Sequence, residues 1–371
     1  MNWRHIDEIL DERRIIITCG TGGVGKTTLS AAIGVRAALQ GRRTAVITID
    51  PAKRLATSLG LEELGDRPAN ITSEIVSAFR KAKAAGMTIP DQFKEPKIGR
   101  FDAIMPDARS NFRDFLRDLA PSAEIVERVM SNPIFQIFTK EFSGANEYMA
   151  LERLQAIDSM REYDCIILDT PPSRNALAFL AAPKLLSQFF DERLIRWLVL
   201  PANSLVASGM KKALSILERL TGTGFMTNLF DFASTVFAVR VRFLANLEKT
   251  MDLLESPDVG FIMVATPTPE TAPEVRHFID ILTKHHFNFD GVAVNRTLGY
   301  LDPVPASAKS PKHQRPYEVL TALIAREKKA LSGVGSGSTP LCAKLPELAR
   351  DVHSVEDLFY VAMALDPDYR L

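Results

Sequence analysis

The chain of 371 residues carries 45 basic and 45 acidic side chains, and 46% of its residues are hydrophobic. Because its formal net charge is zero, the chain has no overall attraction for nucleic acid or for an anionic membrane, and we expect no nucleic-acid partner. The three cysteines, Cys19, Cys165 and Cys342, are scattered without CxxC spacing, which argues against a disulfide framework and against a clustered cysteine–metal site.

No segment has the roughly 20 uninterrupted apolar residues of a membrane span, and the N-terminal sequence MNWRHIDEILDERR lacks the apolar core of a secretion signal. We therefore expect a cytoplasmic protein without a transmembrane segment. Cys19 and Cys165 lie in apolar runs, which indicates small buried side chains.

The first recognisable unit is a strand, a loop, a helix and a second strand. Arg14–Cys19 is a short β-branched run that ends in glycines and predicts a buried strand. Thr27–Leu39 predicts a packed helix that ends at Gly41, and Thr44–Ile49 predicts the next strand. Such a βαβ unit requires parallel strands.

Further apolar runs predict more strands of the same kind. Helical patterns such as Thr271–His285 separate them. The sequence therefore predicts an open, doubly wound, mainly parallel α/β sheet. These later predicted strands are Cys165–Leu168, Gly260–Ala265, Gly291–Asn295 and, less clearly, Cys342–Leu345.

Two stretches interrupt this alternation, at about residues 105–160 and 183–255, and both show helical periodicity. We expect one helical subdomain inserted into a single nucleotide-binding domain that spans residues 1–371. The composition of residues 332–339 predicts a flexible linker. The insert is rich in Phe and Met, including Phe135, Phe138, Phe142, Met149, Phe189, Phe190, Phe225, Met226, Phe230, Phe232 and Phe237.

The loop after the first strand, GTGGVGKT at residues 20–27, fits the phosphate-binding pattern G-x-x-x-x-G-K-[ST] at every fixed position. Glycines let backbone N–H groups turn inward around a phosphate, and the following helix directs its positive end at the anion. Lys26 would reach the β- and γ-phosphates, and the hydroxyl of Thr27 would bind Mg²⁺. The loop predicts binding and hydrolysis of ATP with Mg²⁺.

Two acidic residues at strand ends complete the predicted site. Asp169 ends a buried apolar strand, where it is placed for the Mg²⁺ of a bound nucleotide, although a helix N-cap is the alternative. Asp50 is held in an extended conformation by Pro51, and it could orient the attacking water. The alternative for Asp50 is an ordinary turn residue.

Four segments resemble the ArsA/GET-type ATPases, deviant-Walker P-loop proteins in a class that also holds MinD and ParA. These segments are GTGGVGKTT, TIDPAKRLATSLG, LDTPPSRNALAFL and VAVNRTL, and EFSGANEYMALERL is similar to the bacterial branch of the family. The resemblance implies an ATPase dimer whose nucleotides lie near the subunit interface.

The resemblance also assigns roles to individual residues. Asp50 and Pro51 match the first switch, with Asp50 as the water-orienting acid, and Asp169, Thr170 and Pro171 match the second. Asn295 matches the adenine-contacting asparagine, although an Asn after a strand can instead cap a helix. The segment from Leu345 through Pro346 to Glu347 resembles a late segment on the adenine side. The phosphate loop of the family is matched by Gly22, Gly23, Val24, Gly25, Lys26, Thr27 and Thr28.

Two departures from the family pattern affect the expected partners. Thr21 stands where the family has a signature lysine that reaches the phosphates of the partner subunit. This chain would therefore act as a slow homodimer, or as a heterodimer with a paralogue that carries the lysine, unless an arginine such as Arg174 or Arg296 replaces it. The zinc-binding CxxC and the clustered metalloid-binding cysteines are also missing.

Three functions remain open. The first is a nucleotide-switched carrier whose Phe- and Met-rich helices hold a hydrophobic client or a membrane-protein partner, although such residues are usually core. The second is the ATPase subunit of an anion or metalloid efflux system, which needs soft ligands. The third is a positioning ATPase of ParA or MinD type, for which the C-terminal VEDLFYVAMALDPDYRL is amphipathic but acidic.

Overall fold

The computed structural model describes residues 2–48, 54–62, 64–106, 108–120, 122–136, 145–170, 224–298, 311–334, 339–349 and 351–366. Contacts between Cα atoms divide the chain into two compact units. The first comprises residues 1–106, 156–177 and 254–371, and the second comprises residues 107–155 and 178–253.

The first unit is built on a sheet of nine strands among the described residues. Its strands lie side by side in the order β1-β9-β8-β7-β2-β6-β3-β5-β4, and every pair is parallel except β4 with β5. The strands are β1 (Asn2–Trp3), β2 (Ile15–Cys19), β3 (Thr44–Thr48), β4 (Ala69–Asn70), β5 (Phe101–Ile104), β6 (Cys165–Asp169), β7 (Val259–Ala265), β8 (Asn288–Thr297) and β9 (Pro340–Pro346).

This topology confirms the predicted doubly wound, mainly parallel sheet. The six predicted strands are all present, and their ends differ from the predicted ones by a few residues. Three strands were not predicted, namely β1, β4 and β5. The first two have only two residues each, and β5 carries a carboxylate at Asp102 in the middle of its four residues.

Asp102 is tolerated in a buried strand because its carboxylate is paired. It is fully buried, and it accepts hydrogen bonds from the Tyr163 hydroxyl and the Asn70 amide, each at 2.7 Å. The Arg100 guanidinium lies 2.6 Å away. A buried charge that is paired and hydrogen-bonded avoids most of the desolvation cost, so a charged residue does not exclude a strand here.

Helices cover both faces of the sheet. Helices α1, α2, α4 and α11 share one apolar cluster with alternate strand residues such as Ile16, Val46 and Ile262. The intervening strand residues, such as Ile15 and Phe261, are equally buried. The helices of this unit are α1 (Ile6–Glu12), α2 (Lys26–Leu39), α3 (Arg54–Ser58), α4 (Thr72–Ala84), α9 (Thr271–Lys284), α10 (Pro311–Val334) and α11 (Val355–Met363).

Helix α2, which follows the phosphate loop, is buried over nearly all of its length. At Gly34 it approaches the sheet so closely that an added Cβ would lie 2.5 Å from a methyl group of Val46. Arg36 on the same helix is also buried, and its guanidinium is held by Asp7 of α1 at 2.5 and 2.6 Å. Close packing and a paired cation therefore fix this helix against the sheet and α1.

Helix α10 corrects one sequence prediction. It continues to Val334, so residues 332–334 of the predicted flexible linker are helical, while residues 335–338 lie outside the described residues. Long, weakly apolar helices of this kind can include small residues when buried contacts hold them, and Val334 is 3% exposed. Among the described helices, none has both the length and the apolar character required to cross a bilayer.

The second unit is helical in its described residues. Its helices are α5 (Ala108–Leu119), α6 (Ala123–Ser131), most of α7 (Ala145–Ser159) and most of α8 (Phe225–Glu255). An aromatic core joins them, in which Phe115 makes edge-to-face contacts with Tyr148 and Phe243, each with ring centroids 5.7 Å apart. Edge-to-face geometry is favourable for such rings.

Three of the apolar residues considered for a client groove belong to this core. Phe135, Met149 and Phe232 are 5%, 3% and 8% exposed. The residues or side chains of Phe138, Phe142, Phe189, Phe190, Phe225, Met226, Phe230 and Phe237 lie outside the described part of the chain.

A carboxylate is held between α7 and α8 within this unit. Glu152 accepts hydrogen bonds from the Asn246 amide and, at 3.4 Å, from the Thr250 hydroxyl. Burial, the main cause, raises the pKa of Glu152 from 4.5 to about 7, against the lowering effect of its hydrogen bonds. The folded protein therefore binds this proton more tightly than the unfolded chain does.

We expect Glu152→Gln to remove a pH dependence of stability. Because the folded pKa is raised, wild-type stability should increase as the pH falls from about 7 towards 4.5, and should be flat for this group above about 7. The difference in unfolding free energy between wild type and variant should change by about 1–3 kcal/mol across that window. Urea unfolding followed by circular dichroism at pH 5, 6, 7 and 8 measures it.

The matched control is Glu124→Gln, since Glu124 on α6 is 81% exposed. Its pH profile should superimpose on that of wild type. A Glu152→Gln profile parallel to wild type over the whole range would show that Glu152 has an ordinary pKa.

Candidate functional site

The predicted site residues that the structure describes lie at one edge of the first unit. The loop leaves the carboxyl end of β2, where the order of strands reverses, and α2 begins at Lys26. Asp169 ends β6, Asn295 lies near the end of β8, and Pro346 ends β9. Ligands of open α/β sheets bind in the crevice at this edge and at such a reversal.

Gly25 shows why the loop needs glycine. Its φ is +92°, a left-handed conformation, and an added Cβ would lie 2.2 Å from Nδ2 of Asn295. That amide donates a hydrogen bond to the Val24 carbonyl at 2.9 Å, while Oδ1 of Asn295 accepts one from the Arg296 N–H at 2.9 Å. Asn295 therefore fastens the end of β8 to the loop.

Lys26 is placed where the loop closes on itself. Its Nζ donates to the carbonyl oxygens of Gly20 and Thr21 at 2.9 and 3.2 Å, and the residue is 6% exposed. The first N–H groups of α2 have no carbonyl partner within the helix and carry the positive end of its dipole. The loop thus holds an ammonium group beside a set of backbone donors, which is an arrangement suited to phosphate.

The side chains of Thr27, Thr48 and Asp169 form an oxygen cluster. Oγ1 of Thr27 donates to Oδ2 of Asp169 at 2.7 Å, and Oγ1 of Thr48 donates to the same oxygen at 2.8 Å. Asp169 is 1% exposed. Hydroxyl and carboxylate oxygens are the ligands that Mg²⁺ prefers, usually together with substrate phosphates, so Thr27 and Asp169 fit a magnesium ion of a bound nucleotide.

A cleft runs from this cluster along the sheet edge. The part of the cleft at the loop, called the phosphate part after the role proposed for it below, is lined by Gly23, Gly25, Lys26, Thr27 and Thr28, with Arg54, Thr170, Arg296 and His353. The other part, called the base part after the role proposed for it below, is lined by Asn295, Pro346, Glu347, Leu348 and Tyr360. Gly25, Thr28, Arg296, Asp351 and Val352 line both parts.

The cleft therefore contains most of the residues that the sequence pointed to. Gly22 is an exposed residue of the loop, and Val24 is buried beneath it. Asp50, Pro51, Pro171 and Arg174 lie outside the described residues.

Several lining residues were not predicted. Arg54 lies in the segment TIDPAKRLATSLG, which also holds Asp50 and Pro51 of the first switch. Its place in that segment is a sequence signal that could have identified Arg54 as a lining residue. Asp351, His353 and Tyr360 follow β9 without any motif, and only the folded chain brings them to the cleft.

The cysteines are not part of a reactive site. All three are free and buried, which agrees with the prediction for Cys19 and Cys165. Burial raises the pKa of the Cys19 thiol to about 12 and that of Cys165 to about 12, and it also raises the pKa of Cys342. These thiols stay protonated at neutral pH and are poor soft-metal ligands.

Comparisons with known proteins give a family match and several relatives. Residues 13–83 and 117–317 match the family model of anion-transporting ATPases. The chain is 28% identical over 306 residues to an uncharacterised protein of Streptomyces coelicolor, a match that covers 81% of this chain and 67% of that protein.

Two plant-lineage proteins are more distant. The ATPase GET3C of Arabidopsis thaliana is 22% identical over 308 residues, covering 79% of this chain and 70% of that protein. The ATPase ARSA1 of Chlamydomonas reinhardtii is 24% identical over 292 residues, covering 78% of this chain. The match spans 36% of the length of the algal protein.

We expect Gly25→Ala to weaken the ATP binding that is proposed below for this cleft, because its Cβ must displace the Asn295 amide and break its bond to Val24. The matched control is Gly86→Ala, since Gly86 has a similar φ of +73° but open space around the added Cβ. Both variants carry the same kind of backbone strain, of about 1 kcal/mol. Isothermal calorimetry with ATP distinguishes them, and equal affinities would show that the contact of Gly25 with Asn295 does not shape the site.

Proposed function

The chain belongs to the anion-transporting ATPase family, and we propose that it binds and hydrolyses ATP with Mg²⁺ in the cleft at the carboxyl end of β2. One observation carries the proposal. The Thr27 hydroxyl of the loop lies 2.7 Å from the carboxylate of Asp169, which is 142 residues away in sequence. This is the pair of oxygens that Mg²⁺-nucleotide binding by a P-loop requires.

Different residues of the site would contact the polyphosphate, the Mg²⁺ and the adenine base. The N-terminus of α2 and Lys26 face the polyphosphate, and the ammonium group exchanges the carbonyls of Gly20 and Thr21 for phosphate oxygens. Thr27 and Asp169 would hold the Mg²⁺, which when bound neutralises charge on the phosphates. Asn295 and Pro346 line the base part of the cleft and are proposed to contact adenine.

The water-orienting role is assigned to Asp50. Asp50 comes two residues after Thr48, which ends β3 and donates a hydrogen bond to Asp169. Asp50 itself lies outside the described residues, so its role rests on the resemblance of Asp50 and Pro51 to the first switch. A carboxylate beside the terminal phosphate can accept a hydrogen bond from water and align it for attack.

We further propose that the chain works as a nucleotide-switched dimer that handles a hydrophobic client or a membrane-protein partner. The support is the resemblance to ArsA/GET-type ATPases, and Thr21 in place of the signature lysine leaves open a homodimer or a heterodimer with a lysine-bearing paralogue. The client surface is not among Phe135, Met149 and Phe232, because these side chains form the core of the helical unit.

An anion or metalloid efflux role is the alternative that the family description suggests. Metalloid binding by such an ATPase requires accessible thiolates as soft ligands. The three thiols of this chain are buried, and their raised pKa values keep them protonated. We therefore prefer the carrier role.

We expect Lys26→Ala to abolish tight binding and hydrolysis of Mg²⁺-ATP while the protein stays folded. The amine is proposed to carry the main fixed charge against the β- and γ-phosphates, and its loss removes charge-assisted bonds of about 1.5–3 kcal/mol each. Lys83→Ala on the exposed face of α4 is the control. Calorimetry and phosphate release measure the two effects, and wild-type affinity in Lys26→Ala would refute the proposed ATP site.

We expect Asp50→Asn to retain ATP affinity but to lose most of its hydrolysis. Orienting water acts mainly in the transition state, so kcat should fall by about 100-fold or more while the dissociation constant changes little. Single-turnover assays measure the chemical step, with Asp91→Asn, a 91% exposed carboxylate, as the control. An unchanged single-turnover rate would make Asp50 a turn residue.

A further inference from the structure

Arg296 occupies the junction between the two parts of the cleft. It follows Asn295 on β8, and it lines both the base part and the phosphate part. Lys26, Arg54 and His353 line the phosphate part as well. Arg296 therefore borders the space that is proposed for the polyphosphate of a bound nucleotide.

The backbone of Arg296 is strained and firmly held. Its φ is +61°, a left-handed conformation that is uncommon for residues other than glycine. The Arg296 N–H donates a hydrogen bond to the side chain of Asn295, whose amide in turn donates to the Val24 carbonyl. Two residues later, the Leu298 N–H donates to the buried carboxylate of Glu327 at 2.5 Å. Strain that the surrounding structure holds in place is typical of ligand sites.

The side chain of Arg296 has a weak partner. Its Nε lies 3.8 Å from Oε2 of Glu347, and the two side chains are 53% and 47% exposed. This distance is too long for a hydrogen bond, and half-exposed ion pairs contribute little to stability. The pair therefore holds the guanidinium beside Glu347 but can be broken at small cost.

We propose that Arg296 is a phosphate-binding residue that exchanges Glu347 for the polyphosphate of an incoming nucleoside triphosphate. Arginine forms paired hydrogen bonds with phosphate oxygens, which are stronger than the present contact with Glu347. Glu347 begins the segment that follows β9, and it also lines the base part. When Arg296 binds the polyphosphate, this carboxylate loses its ion pair. The inference rests on the proposed ATP site and deepens it.

The exchange predicts opposite effects for the two members of the pair. Arg296→Gly removes the charge and suits the left-handed backbone, so it should weaken ATP binding by about 10-fold to 100-fold. Glu347→Gln removes the competing carboxylate and should tighten ATP binding by about 2-fold to 5-fold. Arg296→Lys, which keeps the charge, should restore part of the affinity.

The readout is the dissociation constant for ATP and for adenosine, measured by calorimetry on the full chain. Adenosine has no phosphate, so its affinity should be the same in wild type and Arg296→Gly. His286→Gly is the matched control, because His286 also has a left-handed φ, of +57°, and does not line the cleft. Arg296→Asn, which also tolerates this conformation, is a second neutral variant in case Arg296→Gly does not fold.

Three results would overturn the exchange while leaving the ATP site intact. These are wild-type affinity for ATP in Arg296→Gly, weaker ATP binding in both Arg296→Gly and Glu347→Gln, and an equal loss for ATP and adenosine. The last two would make the pair a structural contact. A folded wild-type protein that does not bind ATP would instead refute the proposed function, and the exchange with it.

Discussion

The buried carboxylate of Asp169 is the group on which the site depends. A carboxylate that is 1% exposed is costly unless it is hydrogen-bonded, and here two hydroxyls, from Thr27 and Thr48, supply those bonds to a single oxygen. Thr27 belongs to the first turn of α2 and Thr48 to β3, so the carboxylate at the end of β6 ties together three elements that converge only in the folded sheet. The contact also fixes the start of α2, because the helix cannot shift without breaking the hydrogen bond from Thr27 to Asp169.

The loop is held from the opposite side by Asn295. Its amide reaches the Val24 carbonyl, and its oxygen binds the next backbone N–H, so the end of β8 is fixed to the turn that precedes α2. Gly25 is required at that contact because any Cβ would occupy the place of the amide. The same asparagine thus contacts both the glycine of the motif and the backbone of Arg296, which has a left-handed conformation.

The sequence could predict those parts of the fold that follow from local pattern. Continuous apolar runs such as Ile15–Cys19 are typical of strands buried on both faces, and the glycine-rich loop between a strand and a helix has a well-defined chemistry. Strand β5 was not predicted because a charged residue argues against a buried strand. In the folded chain, the charge of Asp102 is compensated by Arg100, Tyr163 and Asn70, which are brought together only by folding. The role of a polar residue inside a strand depends on such distant partners.

Existing contacts of the cationic side chains also affect how the phosphate part of the cleft would bind an anion. Two of its cations already contact acceptors within the protein. Lys26 is bonded to the carbonyls of its own loop, and Arg296 lies beside Glu347. At the proposed site, binding of a polyphosphate to these groups would exchange one set of acceptors for another, and its free energy would be the difference between the two sets. Acceptors that hold a cation loosely, as Glu347 does, keep the side chain in place without opposing the exchange strongly. A cleft built in this way is preorganised for an anion, since ordering the long side chains is partly completed before the anion arrives.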